Sequence, residues 1–448
     1  MNNVYFIGIG GIGMSALARY YKYKGFQVSG YDRTPSTLTH ELENEGIAIH
    51  YEDREDLVPK DKDNTLVIYT PAIPHEMKEL EKVLNEGYKV IKRSQALGEL
   101  TRGQRTLAVA GTHGKTTTST LVAHILKTSP EGCSAFLGGI SINYGTNFLL
   151  SDNNVVVVEA DEFDRSFLQL HPQIAAITAM DADHLDIYKD LAHVQQAYRE
   201  FASQVSEAIV AKYGLPLDPS TLSAKFYTYD IFNPKADFHA SNLRLDESGH
   251  YTFDLIYPQG VLKNVRVGTL GLLNVENSIA ASAICLLHGV DPEWIKKGIG
   301  SFMGVKRRLE EHVNKPGITY IDDYAHHPAE LKGSLDTIRT IFPDRKICAV
   351  FQPHLYTRTR DFASEFAKSL SIADEVVLLD IYPAREEPIE GVSSELIFKD
   401  ITCKNKWILP YDKLLEWIKT HSVDVLVTFG AGSIDRLVDP ITEILENK

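Results

Sequence analysis

The sequence predicts an α/β protein of three domains. Short β-rich apolar runs alternate with helical patterns along the whole chain, the arrangement of parallel strands joined by crossover helices. With 448 residues, the chain is also too long for one ordinary hydrophobic core. Two of the blocks open on a strand that runs straight into a glycine-rich turn and a helix.

The first block, residues 1–98, is expected to be Rossmann-like. It starts with a strand at Val4–Ile9, a glycine turn and an Ala/Leu/Tyr-rich helix. Further strands are expected at Gln27–Tyr31, Thr65–Tyr69 and Lys89–Ile91, and the block ends near Arg93–Thr101. At about 95 residues it is half the size of a complete dinucleotide-binding fold. The second block, 99–304, is expected to be P-loop ATPase-like. A strand at Thr106–Ala110 feeds a glycine loop and a long helix from Lys115, and strands follow at Val155–Glu159 and Ile174–Thr178. The stretch Pro216–Val267 reads as β-rich excursions, and a helix from Asn274 to His288 closes the block. The third block, 305–448, is again Rossmann-like, with strands at Ile318–Ile321, Ile347–Phe351, Glu375–Leu379 and Val425–Phe429. Neither an internal repeat nor a low-complexity tract is present.

Composition narrows the function classes. Apolar residues make up 44% and charged residues 24%, as in globular chains. The net charge of −14 argues against nucleic acid as a partner, because a phosphate backbone needs a basic face. Small anions remain open, since local cations and helix N-termini hold them. Cys133, Cys285, Cys348 and Cys403 are scattered without a CxxC pair, which suggests neither a disulfide framework nor a zinc site. Met1 leads almost directly into a strand, without a basic n-region or long apolar h-region, so no signal peptide is expected. Runs such as Val155–Val158 are too short to span a bilayer. A cytoplasmic location without a membrane partner is the expectation.

The chemistry-bearing motifs sit at strand ends. Gly111, Thr112, His113, Gly114, Lys115, Thr116 and Thr117 form a shortened phosphate loop, with Val109 where the full pattern has glycine. Backbone N–H groups of such a loop cradle phosphate oxygens, a lysine reaches the β/γ-phosphates, and a threonine hydroxyl ligates Mg²⁺. Gly8-Ile-Gly-Gly-Ile-Gly13 with Asp32 at the end of the next strand resembles a dinucleotide fingerprint, and supports a diphosphate at a helix N-terminus. Glu159-Ala-Asp-Glu-Phe-Asp164 follows a buried strand, where a Mg²⁺ ligand is usual; a solvated acidic loop fits Asp161, Glu162 and Asp164 better than Glu159. In Asp181-Ala-Asp-His-Leu-Asp186, His184 is either a ligand for a second cation or a structural histidine. At strand ends of the third block stand His326, His327, His354, Arg358 and Arg360, donors suited to carboxylate or phosphate. Arg307 and Arg308 stand at the boundary and are candidates to reach the cleft.

Taken together, these motifs resemble the Mur ligase family of peptidoglycan synthesis over the whole chain. The carriers are Gly8-Ile-Gly-Gly-Ile-Gly-Met-Ser15, Gly111–Thr117, Glu159–Glu162, Asp183-His-Leu-Asp186, Asn274 with Asn277, Arg307-Arg308, Asp323-Tyr-Ala-His-His-Pro328 and Phe351-Gln-Pro-His354. The form of the first glycine loop and the histidine within the phosphate loop favour the alanine-adding branch. That resemblance implies a nucleotide-sugar domain, a central ATPase domain and a C-terminal domain that closes over the cleft and takes the amino acid. It implies ATP and Mg²⁺ as cofactors, UDP-N-acetylmuramate and L-alanine as substrates, and a role in cell-wall biogenesis, cell shape and cell division. The lactyl carboxylate would attack the ATP γ-phosphate, and the alanine amine would attack the resulting acyl phosphate.

Residue by residue, the family implies that Lys115 stabilises the transferred phosphoryl group, that Thr116 and Glu159 hold one Mg²⁺ and that His184 helps hold a second. Asn277 would contact adenine and Asp323 the ribose. Tyr324, His326, His354 and Arg358 would line the carboxylate and alanine end, with Arg308 near the reacting groups. Gly10, Gly11 and Gly13 would face the UDP diphosphate, with Asp32 in the same substrate site. Leu273 and Leu355 stand where many members carry histidine and arginine, so one cationic contact to substrate is either missing or supplied elsewhere, with Arg358 and Arg360 as candidates. The stretch Tyr382–Pro388 differs from the shorter Ala-Gly-Glu form common in the family and receives no role. A monomer or homodimer is expected. Three alternatives stay open: a ligase that recycles a tripeptide onto the same nucleotide sugar, an NAD-dependent oxidoreductase, and an ATP-binding switch without ligase chemistry.

Overall fold

The computed structural model describes residues 1–74, 76–181, 185–384 and 386–448. Three sheets carry the architecture. The first has five parallel strands in the order Ala48–His50, Gln27–Tyr31, Asn3–Ile7, Thr65–Tyr69, Lys89–Lys92. Its central strand is buried on both faces, as parallel sheets require. Val4 and Phe6 join one core, while Tyr5 and Ile7 join another. Alternation along a strand produces that split.

The second sheet has ten strands. Around the phosphate-loop strand Arg105–Ala110 lie Ile174–Ile177 on one side and Val155–Glu159 on the other, both parallel to it. Ser134–Ser141 and the antiparallel Thr146–Leu149 complete one edge. Ala208–Lys212, Lys225–Asp230, Phe238–Leu245, Tyr251–Tyr257 and Gly260–Arg266 extend the other, which resolves the expected β-rich excursions. The third sheet runs Glu310–Lys315, Ile318–Asp323, Val425–Phe429, Ile347–Phe351, Glu375–Leu379, Asn405–Leu409, parallel except for its first strand. Among the described residues, no helix is long and apolar enough to cross a membrane.

The chain forms two compact units. Met1–Leu243, Phe253–Arg266 and Val275–Met303 make the first; Arg244–Thr252, Val267–Asn274 and Gly304–Lys448 make the second. The first unit thus holds the first sheet and most of the second. Its two sheets are joined tightly. Helix Ile12–Tyr23 packs on the Ser134–Ser141 and Thr146–Leu149 strands. There the fully buried Asn147 donates to the Ile12 carbonyl and to Ser15 Oγ, and accepts from Arg19 Nη1 at 2.7 Å. Lys92–Asp164 at 2.7 Å and Arg93–Asp161 at 3.1 Å add two ion pairs.

Candidate active site

The phosphate loop adopts a conformation that depends on glycine. Gly111 has φ +137°, and a Cβ there would lie 2.8 Å from Ala179 N and 2.9 Å from Thr178 N, backbone that has no room to yield. Gly114 has φ +79° and caps helix Lys115–Thr128 without a side-chain bond, so the helix start is bare backbone. Thr112 N donates to the Ala179 carbonyl at 3.2 Å and Asp181 N to Thr112 Oγ1 at 3.2 Å. These bonds tie the loop to the end of the Ile174–Ile177 strand. Exposed positive helix ends with free N–H groups attract anions. Thr117 is half-buried in the first turn, and His113 is exposed with Nε2 at 3.5 Å from Asp181.

The acidic loop after Val155–Glu159 organises the cations around it. Thr116 Oγ1 donates to Glu159 Oε1 at 3.1 Å, and Gly138 N donates to Glu159 Oε2 at 3.0 Å. A Cβ on Gly138 would collide with that carboxylate, so the glycine leaves a seat for it. Lys115 Nζ donates to the Gly111 carbonyl at 2.7 Å and to Glu162 Oε1 at 2.8 Å. Glu162 is 1% exposed, so the alternative of a solvated acidic loop does not hold for it. A buried carboxylate requires such a partner. Asp161 and Asp164 are likewise paired, with Arg93 and Lys92. Sequence reasoning missed this because each partner lies tens of residues away. Glu159 and Thr116 offer hard oxygens 3.1 Å apart, a donor set that suits magnesium bound through one carboxylate plus nucleotide phosphates. Among the described residues no cluster of three or more His, Cys, Asp or Glu side chains could cage a metal. His184, the expected second ligand, lies outside the described residues. Asn277 sits beside the phosphate loop, with its Oδ1 accepting from Thr118 Oγ1 at 3.2 Å.

The glycine loop of the first sheet opens onto a cavity that Glu159 also lines. That cavity, of about 340 Å³, is lined by Gly11, Gly13, Thr70, Arg93, Gly138 and Glu159, among others. The loop is fixed by Asp32, whose Oδ2 accepts from Gly10 N at 2.7 Å and whose Oδ1 accepts from Thr34 N at 3.2 Å. Asp32 therefore shapes the loop from behind. Arg93, read from the sequence only as a block boundary, is the cation of this cavity.

The second unit gathers its expected residues at the carboxyl ends of the third sheet. Arg307 is not free to serve a ligand. Its Nε donates to the buried Asp322 at 2.9 Å and its Nη2 to the Gly430 carbonyl at 2.6 Å. Arg308 is exposed and lies 5.8 Å from the Tyr324 ring. Asp323 is buried, and its oxygens accept from Leu309 N at 2.9 Å and Ala325 N at 2.8 Å, so it orders the turn that presents Tyr324. Burial pushes its pKa up to about 6. Rings of Tyr324, His326, His354 and Tyr382 follow one another at centroid distances of 5.1, 6.0 and 5.8 Å. Burial holds His326 below its ordinary pKa and so favours the neutral ring. Arg358 Nη1 lies 3.3 Å from His354 Nδ1, whereas the exposed Arg360 pairs with Asp361. Arg358 is thus the better placed of the two candidate cations. Tyr382 and Glu386, which received no role from the sequence, hold this segment. Tyr382 stacks on His354, and Glu386 accepts from Thr357 N at 3.0 Å. Leu355 takes φ +74° here, a strained value for a bulky residue, with its N–H donating to the Tyr382 carbonyl.

A glycine-built phosphate loop, a hard-oxygen pair beside it and a second glycine loop on a cavity that Glu159 also lines are the marks of a phosphate-binding protein. Comparison with known proteins assigns the family. Residues 3–105 match the model of the Mur ligase family catalytic domain, 109–285 the Mur ligase middle domain, and 307–432 the Mur ligase glutamate ligase domain. The chain belongs to the Mur ligase family. It is 49% identical to the UDP-N-acetylmuramate–L-alanine ligase of Parabacteroides distasonis, covering 99% of this chain and 97% of that one. It is 48% identical to the enzyme of the same name from Porphyromonas gingivalis, over 100% and 99% of the two chains. The crystal structure of the UDP-N-acetylmuramate–alanine ligase of Thermotoga maritima superposes with a TM-score of 0.84 at 27% identity, covering 99% of each chain. The expected three-domain α/β architecture is borne out.

Proposed function

We infer that this chain is an ATP-dependent ligase that joins L-alanine to the lactyl carboxylate of UDP-N-acetylmuramate in peptidoglycan precursor synthesis. The observation that carries this reading is the shared cavity: Gly11 and Gly13 line it from the first sheet, and Glu159, bonded to Thr116 of the phosphate loop, lines it from the second. A sugar diphosphate on one loop and a nucleotide triphosphate on the other would meet there. Full-length similarity to enzymes of that name supports the substrate pair.

The carboxylate attacks the γ-phosphorus and ADP leaves, giving an acyl phosphate. The amine of L-alanine then attacks the acyl carbon, and phosphate leaves from the tetrahedral intermediate. Lys115 neutralises charge on the transferred phosphoryl group. Magnesium, held by Thr116 and Glu159 and in this proposal also by His184, would supply further charge neutralisation. Asn277 is assigned to adenine and Asp323 to the ribose end. Tyr324, His326, His354 and Arg358 are assigned to the amino acid, and Arg308 to the reacting groups. A neutral His326 can accept a proton from the alanine ammonium, which must be deprotonated to attack. The three roles map onto 1–98, 99–304 and 305–448. A cytoplasmic monomer or homodimer acting on small molecules completes the proposal.

The test is product formation with ATP, Mg²⁺ and UDP-N-acetylmuramate, offering free L-alanine or the tripeptide of the recycling reaction. The expected product carries one alanine. Consumption of tripeptide alone would overturn the assignment.

A further inference from the structure

Arg93 opens helix Arg93–Thr101, at the seam where the two sheets of the first unit meet. Its side chain is 18% exposed and lines the cavity. One Nη2–H donates to Asp161 Oδ2 at 3.1 Å, and among the described residues the guanidinium has no other hydrogen-bond partner. The remaining N–H donors of the fork therefore stand available at the cavity wall. The guanidinium also packs against the glycine loop: a Cβ on Gly13 would lie 2.9 Å from Arg93 Nη1 and 3.2 Å from Cδ. A side chain at Gly13 would have to displace the guanidinium end of Arg93.

Resting on the functional reading above, we propose that Arg93 binds an oxyanion of the UDP sugar and that Asp161 is its positioning residue. Three features converge on this assignment. The arginine is the cavity's own cation, placed between the glycine loop and Glu159. A planar fork held on one side by a carboxylate is set to engage an oxyanion with its free edge. Asp161 belongs to the same short loop that holds Thr116 through Glu159 and Lys115 through Glu162. One loop therefore orients the cations of both ligands. The oxyanion belongs either to the diphosphate or to the lactyl carboxylate, and both sources lie on the same substrate.

Calorimetric titration of the full chain separates them. UDP-N-acetylmuramate, which has both groups, is compared with UDP-N-acetylglucosamine, which lacks the carboxylate. Arg93→Ala should weaken UDP-N-acetylmuramate binding by about 10- to 100-fold while an ATP analogue binds within about twofold of wild type, which checks the fold. Arg93→Lys should recover only part of the loss, because lysine keeps the charge without the fork. Equal loss for both sugars assigns the diphosphate; loss confined to UDP-N-acetylmuramate assigns the carboxylate. Gly13→Ala should reproduce the Arg93→Ala pattern. Asp161→Asn should raise KM for the UDP sugar with little change in kcat, and Asp161→Glu should restore part of it. Unchanged affinity for UDP-N-acetylmuramate in Arg93→Ala would overturn the proposal. Wild-type protein that binds no UDP-N-acetylmuramate would overturn the functional reading instead.

Discussion

The two glycine loops of the first unit solve one problem in opposite ways. Each turns a buried parallel strand into a helix. The phosphate loop carries its own cation, Lys115, one residue past its last glycine, and a carboxylate on the next strand's loop holds that lysine. The Gly8–Gly13 loop has no cation of its own. A carboxylate, Asp32, holds its backbone at Gly10, and the nearest cation is Arg93, on a helix about 80 residues further on. The first arrangement is local and legible in a seven-residue motif. The second is assembled by the fold.

Removing the local cation should have the largest effect. Lys115→Ala should lower kcat by at least about 10²–10³-fold, a typical loss for a group that stabilises transferred charge, while UDP-sugar affinity stays near wild type. If both fall together, the two loops are not separable in the way described. Next in size is the metal arm of the phosphate loop. Glu159→Ala should raise the Mg²⁺ concentration for half-maximal rate roughly tenfold or more, and an unchanged titration would remove Glu159 from the metal site. The backbone hold on the other loop is worth less. Asp32→Ala loses a charge-assisted bond to Gly10 N of order 1.5–3 kcal/mol, so UDP-sugar affinity should fall about tenfold or more with ATP affinity unchanged.

The helices behind the loops differ as well, and pH should expose it. Helix Ile12–Tyr23 is tied by Arg19 to Glu41 and Glu45 at 3.1 and 2.7 Å. Helix Lys115–Thr128 buries His124, which bonds to Tyr144 Oη at 2.8 Å and Ser301 Oγ at 2.9 Å. Burial pushes the His124 pKa down to about 4. The unfolded chain, near 6.5, takes up a proton that the folded chain refuses, so stability is complete above pH 6.5 and falls as the pH drops toward 4. The loss is at most about 3–4 kcal/mol. Denaturant midpoints at pH 7.5 and 5 should differ less in His124→Gln than in wild type.

What was legible follows the same division between local and assembled. Val155–Glu159, Ile347–Phe351, Glu375–Leu379 and Val425–Phe429 form as expected, because strands buried on both faces are continuous apolar runs. Ser134–Ser141 was not anticipated, since Gly138-Gly139 and flanking serines dilute its pattern. Gly138 makes room for Glu159, so the site itself masked the strand. Asn405–Leu409 is a half-buried edge strand with only three apolar residues and little signal. In the site, Gly111–Thr117 was readable because backbone conformation and chemistry coincide within seven residues. Glu162 looked like surface charge because its partner lies 47 residues away, and Arg93 looked like a linker because the cavity exists only once two sheets are docked.

Asn147 makes that docking hard to undo. Its amide is buried between the first helix and the second sheet, with all its bonding drawn from the first block. Grafting residues 1–98 of a relative onto this central region, the obvious route to a new sugar specificity, would leave an amide in the dark without partners unless the donor supplies the same carbonyl, hydroxyl and guanidinium at the seam. The interchangeable module for engineering is therefore the first block together with the Thr146–Leu149 hairpin arm that it grips, a unit discontinuous in the gene.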